Sequence, residues 1–201
     1  MLKRLFDIIL SLAGIILLFP FLVIIAMVIL AGSPGGVFYL QKRVGKNNID
    51  FHIIKFRTMY KGSDKQGLLT VGKDDPRVTP EGRWLRRYKL DELPQLFNIL
   101  AGEMSFVGPR PEVRKYVNLY TDEQKRALSV RPGLTDYASL QFANENEVLD
   151  GYPNPEKAYI EEILPEKLKL NLHYIDTKSF MSDLRILCGT AKRIILTYRK
   201  T

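Results

Sequence analysis

Between Asp7 and Lys42 the chain carries no charged residue, and from Ile8 to Ala31 almost every side chain is Ile, Leu, Val, Phe, Ala or Met. About 20 apolar residues at about 1.5 Å each suffice to cross a hydrocarbon core, so this run assigns the first fifth of the chain to a membrane. A cleaved signal peptide would have an apolar core of about 7–15 residues followed by a small-residue cleavage site, and the run is too long for that. Pro20 falls in its middle, lacks an N–H and collides with the carbonyl four residues back, which bends or breaks a helix. Lys3 and Arg4 precede the run and Lys42 and Arg43 follow it, so both ends carry the mark of the cytoplasmic side. Length and charge leave two forms open: a kinked spanning helix, or one that enters, bends at Pro20 and returns to the same face.

The remainder is long enough for one sizeable core, since the whole chain has 201 residues. With 46% apolar and 26% charged residues it is neither disordered, collagen-like nor a polytopic membrane protein. Lys3, Arg4 and Asp7 are the charged residues before position 42, so +7 of the net +8 lies beyond the apolar run and favours anionic partners. The basic residues are scattered, and neither an RNA-binding aromatic signature nor a DNA-reading helix pattern is present, which argues against nucleic acid. The single cysteine, Cys188, excludes an intrachain disulfide and a multi-cysteine zinc site, and fits a reducing, cytoplasmic location. His52 and His173 stand far apart without a ligand pattern and read as structural.

The fold expected is α+β: a re-entrant or spanning N-terminal helix (1–36) followed by a small, mostly helical domain (37–201). After Gly32-Ser33-Pro34-Gly35-Gly36, Val37–Gln41 and Phe51–Phe56 flank Gly45-Lys46-Asn47-Asn48 as a β-hairpin. Met59 to Pro80 reads as a surface loop able to order over a ligand. Helices are expected near Glu81–Lys89, Glu92–Leu100 and Pro111–Leu119, and from Thr121, whose spacing to Gln124 makes a capping box. Pro155–Leu164 and Glu166–Tyr174 read as helices separated by Pro165. Ser179 to Tyr198 has Phe180, Leu184, Leu187, Ala191, Ile194, Ile195 and Tyr198 at helical spacing, bordered by Lys192, Arg193, Arg199 and Lys200. That pattern suits an interfacial amphipathic helix on an anionic bilayer and a core-packing helix equally.

Chemistry concentrates at Leu90-Asp91-Glu92-Leu93-Pro94-Gln95-Leu96, where adjacent carboxylates follow Arg86, Arg87 and Lys89. By themselves they could be an N-cap and a first-turn residue, contributing about 1 kcal/mol and no catalysis. Further cations stand in Lys55-Phe56-Arg57-Thr58-Met59, Gly108-Pro109-Arg110-Pro111 and Arg131-Pro132-Gly133, and such groups suit phosphate oxygens. A carboxylate among them can hold Mg²⁺ together with substrate phosphates, or attack phosphorus.

These segments resemble the small bacterial sugar transferases, the monotopic polyprenol-phosphate phosphoglycosyl transferases, over nearly the whole chain. The family's proline-broken hydrophobic helix, KFRTM-like strand end, basic residue ahead of LDELPQL, MSFVGPRP and RPG-T stand here in order, the last four blocks as Lys55–Met59, Arg86 with Leu90–Leu96, Met104–Pro111 and Arg131–Thr135. The resemblance implies that Asp91 attacks the sugar-linked phosphate of a UDP-sugar, releasing UMP, and that undecaprenyl (polyprenol) phosphate then takes the phosphosugar. It further implies Mg²⁺ held by Asp91 and the phosphates, and Glu92 as the acid/base partner. Lys55, Arg86 and Arg110 would contact the phosphates, with Arg57 and Arg131 as weaker candidates. It implies a re-entrant helix broken at Pro20, lipid of the bacterial inner membrane as surroundings, and a domain on the cytoplasmic face, as a monomer or a homodimer.

Two departures stand out. The family's Ser-Pro pair is Phe19-Pro20 here, so no serine hydroxyl is available to a freed backbone carbonyl. After Thr135, where many members continue with glycine and a Gln-Val-x-Gly-Arg-like stretch, this chain reads Asp136-Tyr137-Ala138-Ser139-Leu140-Gln141-Phe142, which leaves the sugar undetermined. The competing class is a membrane-anchored basic module that binds anionic lipid without chemistry; such a module has no use for Asp91-Glu92.

Overall fold

In the computed structural model, which describes residues 2–63, 67, 69, 75–142 and 145–199, and the side chains of these except 146, 147 and 194–199, the apolar run is one helix, α1 (Leu2–Gly32), continuous across Pro20. One of its faces is covered: Leu22, Ile25 and Ile29 are buried with Phe56 and Leu85, while Ile15 and Leu18 lie against the cluster containing Leu96 and Ile99. Its other face leaves Ile9, Leu12, Ile16, Leu17, Phe19, Ile24 and Met27 exposed. A contiguous apolar surface of this length has lipid, not water, as its favourable solvent.

Both ends of α1 are fastened to the same body. At the start, Lys3 Nζ donates to Val107 O at 2.8 Å, to the Tyr174 hydroxyl at 3.1 Å and to Asp183 at 2.5 Å. Arg4 donates to Ile99 O and Leu100 O, and buried Asp7 accepts from the Ser105 hydroxyl and from Phe106 N. At the far end, Arg57 directs all its guanidinium nitrogens at residues 29–36. Lys3 and Arg4, read from sequence as topology markers, are therefore also structural ties.

The expected hairpin is present, as antiparallel β1 (Phe38–Val44) and β2 (Asp50–Phe56). Its first strand runs on to Val44, and Asn47 and Asn48 supply the positive φ angles of the turn. α2 (Pro80–Arg87) starts as its sequence dictates: Pro80 occupies the first turn, and the Thr79 hydroxyl accepts from Gly82 N at 3.0 Å. Lys89, in the left-handed region at φ 56°, turns the chain into a single 3-10 turn at Leu90–Glu92, and α3 (Gln95–Ala101) follows. Asn98 on α3 bonds Ile54 N and His52 O, fixing the free edge of β2 to the helix.

A parallel pair, β3 (Ser105–Val107) with β4 (Gly133–Thr135), was not expected, because three-residue strands are too short to show a period. Between them the expected Pro111–Leu119 helix is only the short α4 (Arg114–Val117). The Thr121–Gln124 capping box forms, both bonds present, but opens a 3-10 segment at Gln124–Ser129. α5 (Tyr137–Gln141) and α6 (Glu145–Asp150) precede α7 (Pro155–Ala158). Pro165 does not separate two helices: α7 passes through a π-helical turn at Tyr159–Ile163 into α8 (Leu164–Thr177), and Pro165 sits in that helix's first turn, where an N–H is dispensable. α9 (Phe180–Arg199) packs inward through Ile186 and Leu187. Ile194, Ile195, Tyr198 and Arg199, on which its amphipathic reading also rests, lie outside the described side chains, and Lys200 lies outside the described residues. The middle of the expected Met59–Pro80 loop, 64–66, 68 and 70–74, is likewise outside them; its base is closed by a bridge between Met59 and Val78.

Candidate active site

The 3-10 turn that follows Lys89 brings two adjacent carboxylates to one place with different surroundings. Neither caps a helix: α3 begins three residues after Glu92, with Pro94 at its N-cap and no capping side chain. Glu92 Oε1 accepts from Lys55 Nζ at 3.0 Å and is in contact with Arg110 Nη2. Lys55 comes from β2, Glu92 from the 3-10 turn and Arg110 from the loop after β3, so three separate elements meet at one carboxylate. Asp91 is buried, 7% exposed, and among the described residues no hydrogen bond reaches its carboxylate.

Charge separates the pair further. Burial alone would raise Glu92, but the charges of Arg110 and Lys55 outweigh it and hold its carboxyl far below the usual range. Asp91 moves the other way: burial raises it, the Glu92 charge adds to the rise, and the cations Lys55, Lys89 and Arg86 only partly oppose it. Burial lowers Lys55 and Arg86, whereas Arg110 is raised by the facing Glu92 charge. The site thus holds one carboxylate locked in its charged form between cations and one whose charged form burial disfavours.

Of the residues singled out from sequence, Asp91, Glu92, Lys55, Arg86 and Arg110 form this cluster. Arg86 is oriented by Nε donating to the Thr58 hydroxyl at 2.8 Å. Arg57 and Arg131 are not brought into it. Arg57 is 8% exposed and donates to Gly36 O, Pro34 O, Ile29 O, Ser33 O and the Ser33 hydroxyl, so its fork closes the C-terminal end of α1. Arg131 donates to Gly102 O at 2.7 Å, at the end of α3. Sequence reading passed over Thr58, whose only signal was its place in the KFRTM-like segment. It also gave no part to Asp136, which accepts from Arg110 N.

Among the described residues no group of three or more His, Cys, Asp or Glu side chains could hold a metal. One unengaged carboxylate is nevertheless what Mg²⁺ requires where substrate phosphates complete its shell, and Asp91 fits that role.

The chain is similar to known sugar transferases. The family model described as bacterial sugar transferase matches residues 1–197. The chain is 37% identical to the uncharacterized sugar transferase EpsL of Bacillus subtilis, over 98% of this chain and 88% of that one. It is 37% identical to an undecaprenyl-phosphate glucose phosphotransferase of Komagataeibacter xylinus, over 97% of this chain but 36% of that one. It is 36% identical to a UDP-N-acetylgalactosamine-undecaprenyl-phosphate N-acetylgalactosaminephosphotransferase of Aeromonas hydrophila, over 96% of this chain and 43% of that one. The chain thus spans most of the first relative and less than half of the other two.

Proposed function

Since the chain belongs to the bacterial sugar transferase family, we propose that it is a polyprenol-phosphate phosphoglycosyl transferase, moving a sugar-1-phosphate from a UDP-sugar to undecaprenyl phosphate. The unequal carboxylate pair carries this reading: Asp91 without a hydrogen-bonding partner among the described residues, Glu92 clamped by Lys55 and Arg110. An Asp91 oxygen attacks the phosphorus that bears the sugar, the bond from that phosphorus to the UMP oxygen breaks, and the phosphosugar stays on Asp91. An oxygen of undecaprenyl phosphate then attacks the same phosphorus, frees Asp91, and gives undecaprenyl diphosphate sugar. Division into two displacements lets one set of cations serve two dissimilar substrates in turn.

Lys55, Arg86 and Arg110 receive the phosphate oxygens. As they do, Lys55 and Arg110 turn from Glu92 toward the substrate, and Glu92, ionised at neutral pH, becomes free to take the acceptor's proton. Mg²⁺, held by Asp91 and the phosphates, would supply charge neutralisation at the diphosphate.

We further read α1 as re-entrant, with residues 37–201 on the cytoplasmic face of the bacterial inner membrane. A helix whose two ends are fastened to one body cannot leave that body's side of a bilayer, which supports this reading. The relatives name glucose and N-acetylgalactosamine at nearly equal identity, so the sugar is left to experiment.

The test is UMP release by the detergent-purified protein given Mg²⁺, undecaprenyl phosphate and a panel of UDP-sugars. Release with one donor, lost in Asp91→Asn, and a phosphosugar adduct trapped on Asp91 are expected; wild-type transfer by Asp91→Asn would overturn the mechanism. Topology is tested by labelling single cysteines placed before and after α1, in a Cys188→Ser background, from outside intact spheroplasts. Access to only one of them contradicts re-entry.

A further inference from the structure

Arg110 sits between two prolines, in Gly108-Pro109-Arg110-Pro111, so its backbone N–H is the one donor between Gly108 and Glu112. The start of this turn is clasped by β4: Gly108 N donates to Thr135 O at 3.1 Å and Gly133 N to Pro109 O at 3.0 Å. The strands approach so closely that a β carbon on Gly133 would lie 2.2 Å from Gly108 N. A parallel ladder continuing in this register would offer Arg110 N a carbonyl two residues past Thr135. That carbonyl is not in strand position, because the chain turns into α5 at Asp136.

The Asp136 carboxylate takes its place. It is 1% exposed; one oxygen accepts from Ser139 N at 2.6 Å, capping α5, and the other accepts from Arg110 N at 3.1 Å. The Arg110 side chain is tied to the same strand, with Nη1 donating to Leu134 O at 3.1 Å while Nη2 faces Glu92. One carboxylate therefore ends the ladder, begins the helix and fixes the backbone from which the guanidinium reaches the site.

We propose that Asp136 is the positioning residue for Arg110, setting where its guanidinium meets the donor's phosphates. This rests on the reading of Arg110 as a phosphate ligand.

Asp136→Ser separates the two duties, since serine caps a helix about as well as aspartate but offers one oxygen in place of two. Asp136→Ser is expected to lower kcat/KM for the UDP-sugar about 10-fold or more, while the thermal midpoint falls by only about 2–8 °C for the one unpaired N–H and the enzyme stays folded at the assay temperature. In an Arg110→Lys background the same change should cost less than about twofold, since a residue that acts through Arg110 shows non-additivity with it. Wild-type kcat/KM in Asp136→Ser, or an undiminished cost in the Arg110→Lys background, would overturn the proposal and leave the transferase reading intact. Should the wild-type protein transfer no sugar from the panel, that reading fails by itself, and the cycle is then read on UDP affinity by calorimetry. Equal affinities of wild type and Asp136→Ser would overturn the proposal in that case too.

Discussion

Arg57 and Arg110 both stand in basic motifs singled out from sequence, one buried and the other half-buried, and they end in opposite kinds of surroundings. Arg57 is encircled by acceptors at the end of α1, four of them carbonyls and one a hydroxyl. Arg110 faces the mobile charge of a side-chain carboxylate, Glu92. The five donors of a guanidinium decide the difference: when backbone saturates them the residue is architecture, and when a carboxylate holds one branch a phosphate can exchange for it. An arginine's role is therefore set by what kind of acceptor it meets, which sequence does not display.

The contrast can be broken in four ways. Asp91→Asn has the largest expected effect: UMP release falls by about 10⁴-fold or more, as for the loss of a nucleophile. The fold should not suffer. A carboxyl whose pKa is raised on folding lends stability below the ordinary value of 3.8 that is lost as pH rises through the raised value, so removing it should raise the thermal midpoint at neutral pH. A lowered midpoint would mean that Asp91 is architecture like Arg57. Next, Arg110→Lys should lower kcat/KM by about 10²–10³-fold, since lysine keeps the charge and loses the fork, with little change in stability.

Arg57→Ala reverses the pattern. Leaving buried carbonyls without donors costs about 3–5 kcal/mol, which in a chain of this size lowers the midpoint by roughly 10 °C or more. The folded fraction should keep transfer within about twofold, read as activity per folded molecule in a thermal-shift series. Loss of transfer at an unchanged midpoint would place Arg57 with Arg110. The smallest effect is on pH: transfer should decline in acid at a pH above the ordinary aspartate value, because Asp91 must be ionised to attack. An acid limb at or below that value would show that burial does not govern Asp91.

Much of this was legible. The apolar run, the hairpin with its asparagine turn and a helix near Glu81–Lys89 follow from local rules, though not the Thr79-Pro80 start of that helix, and the family resemblance brought Asp91, Glu92, Lys55, Arg86 and Arg110 to one site. What was not legible depends on distant partners. The β3–β4 pair needs two segments more than twenty residues apart, each too short to announce itself. Arg57 and Arg131 carried the right chemistry, and only the carbonyls of α1 and α3 gave them other work. Pro165 reads as a break between two helices, yet the chain stays helical through it, with a π-turn before it and Pro165 in the first turn of α8. The unequal surroundings of Asp91 and Glu92 were also hidden, since adjacent residues on a 3-10 turn point to different neighbours.

The tie between Lys3 and Asp183 joins positions 180 residues apart. A ribosome adding about 5–20 residues per second needs roughly 10–40 s to make the second after the first. Through that interval Lys3 has at most its earlier partners Val107 and Tyr174 and lacks the Asp183 carboxylate, which a chain that stops short of α9 never supplies. Final seating of the helix therefore waits on the making of α9, so a chain cut before it should offer proteases a looser first turn of α1.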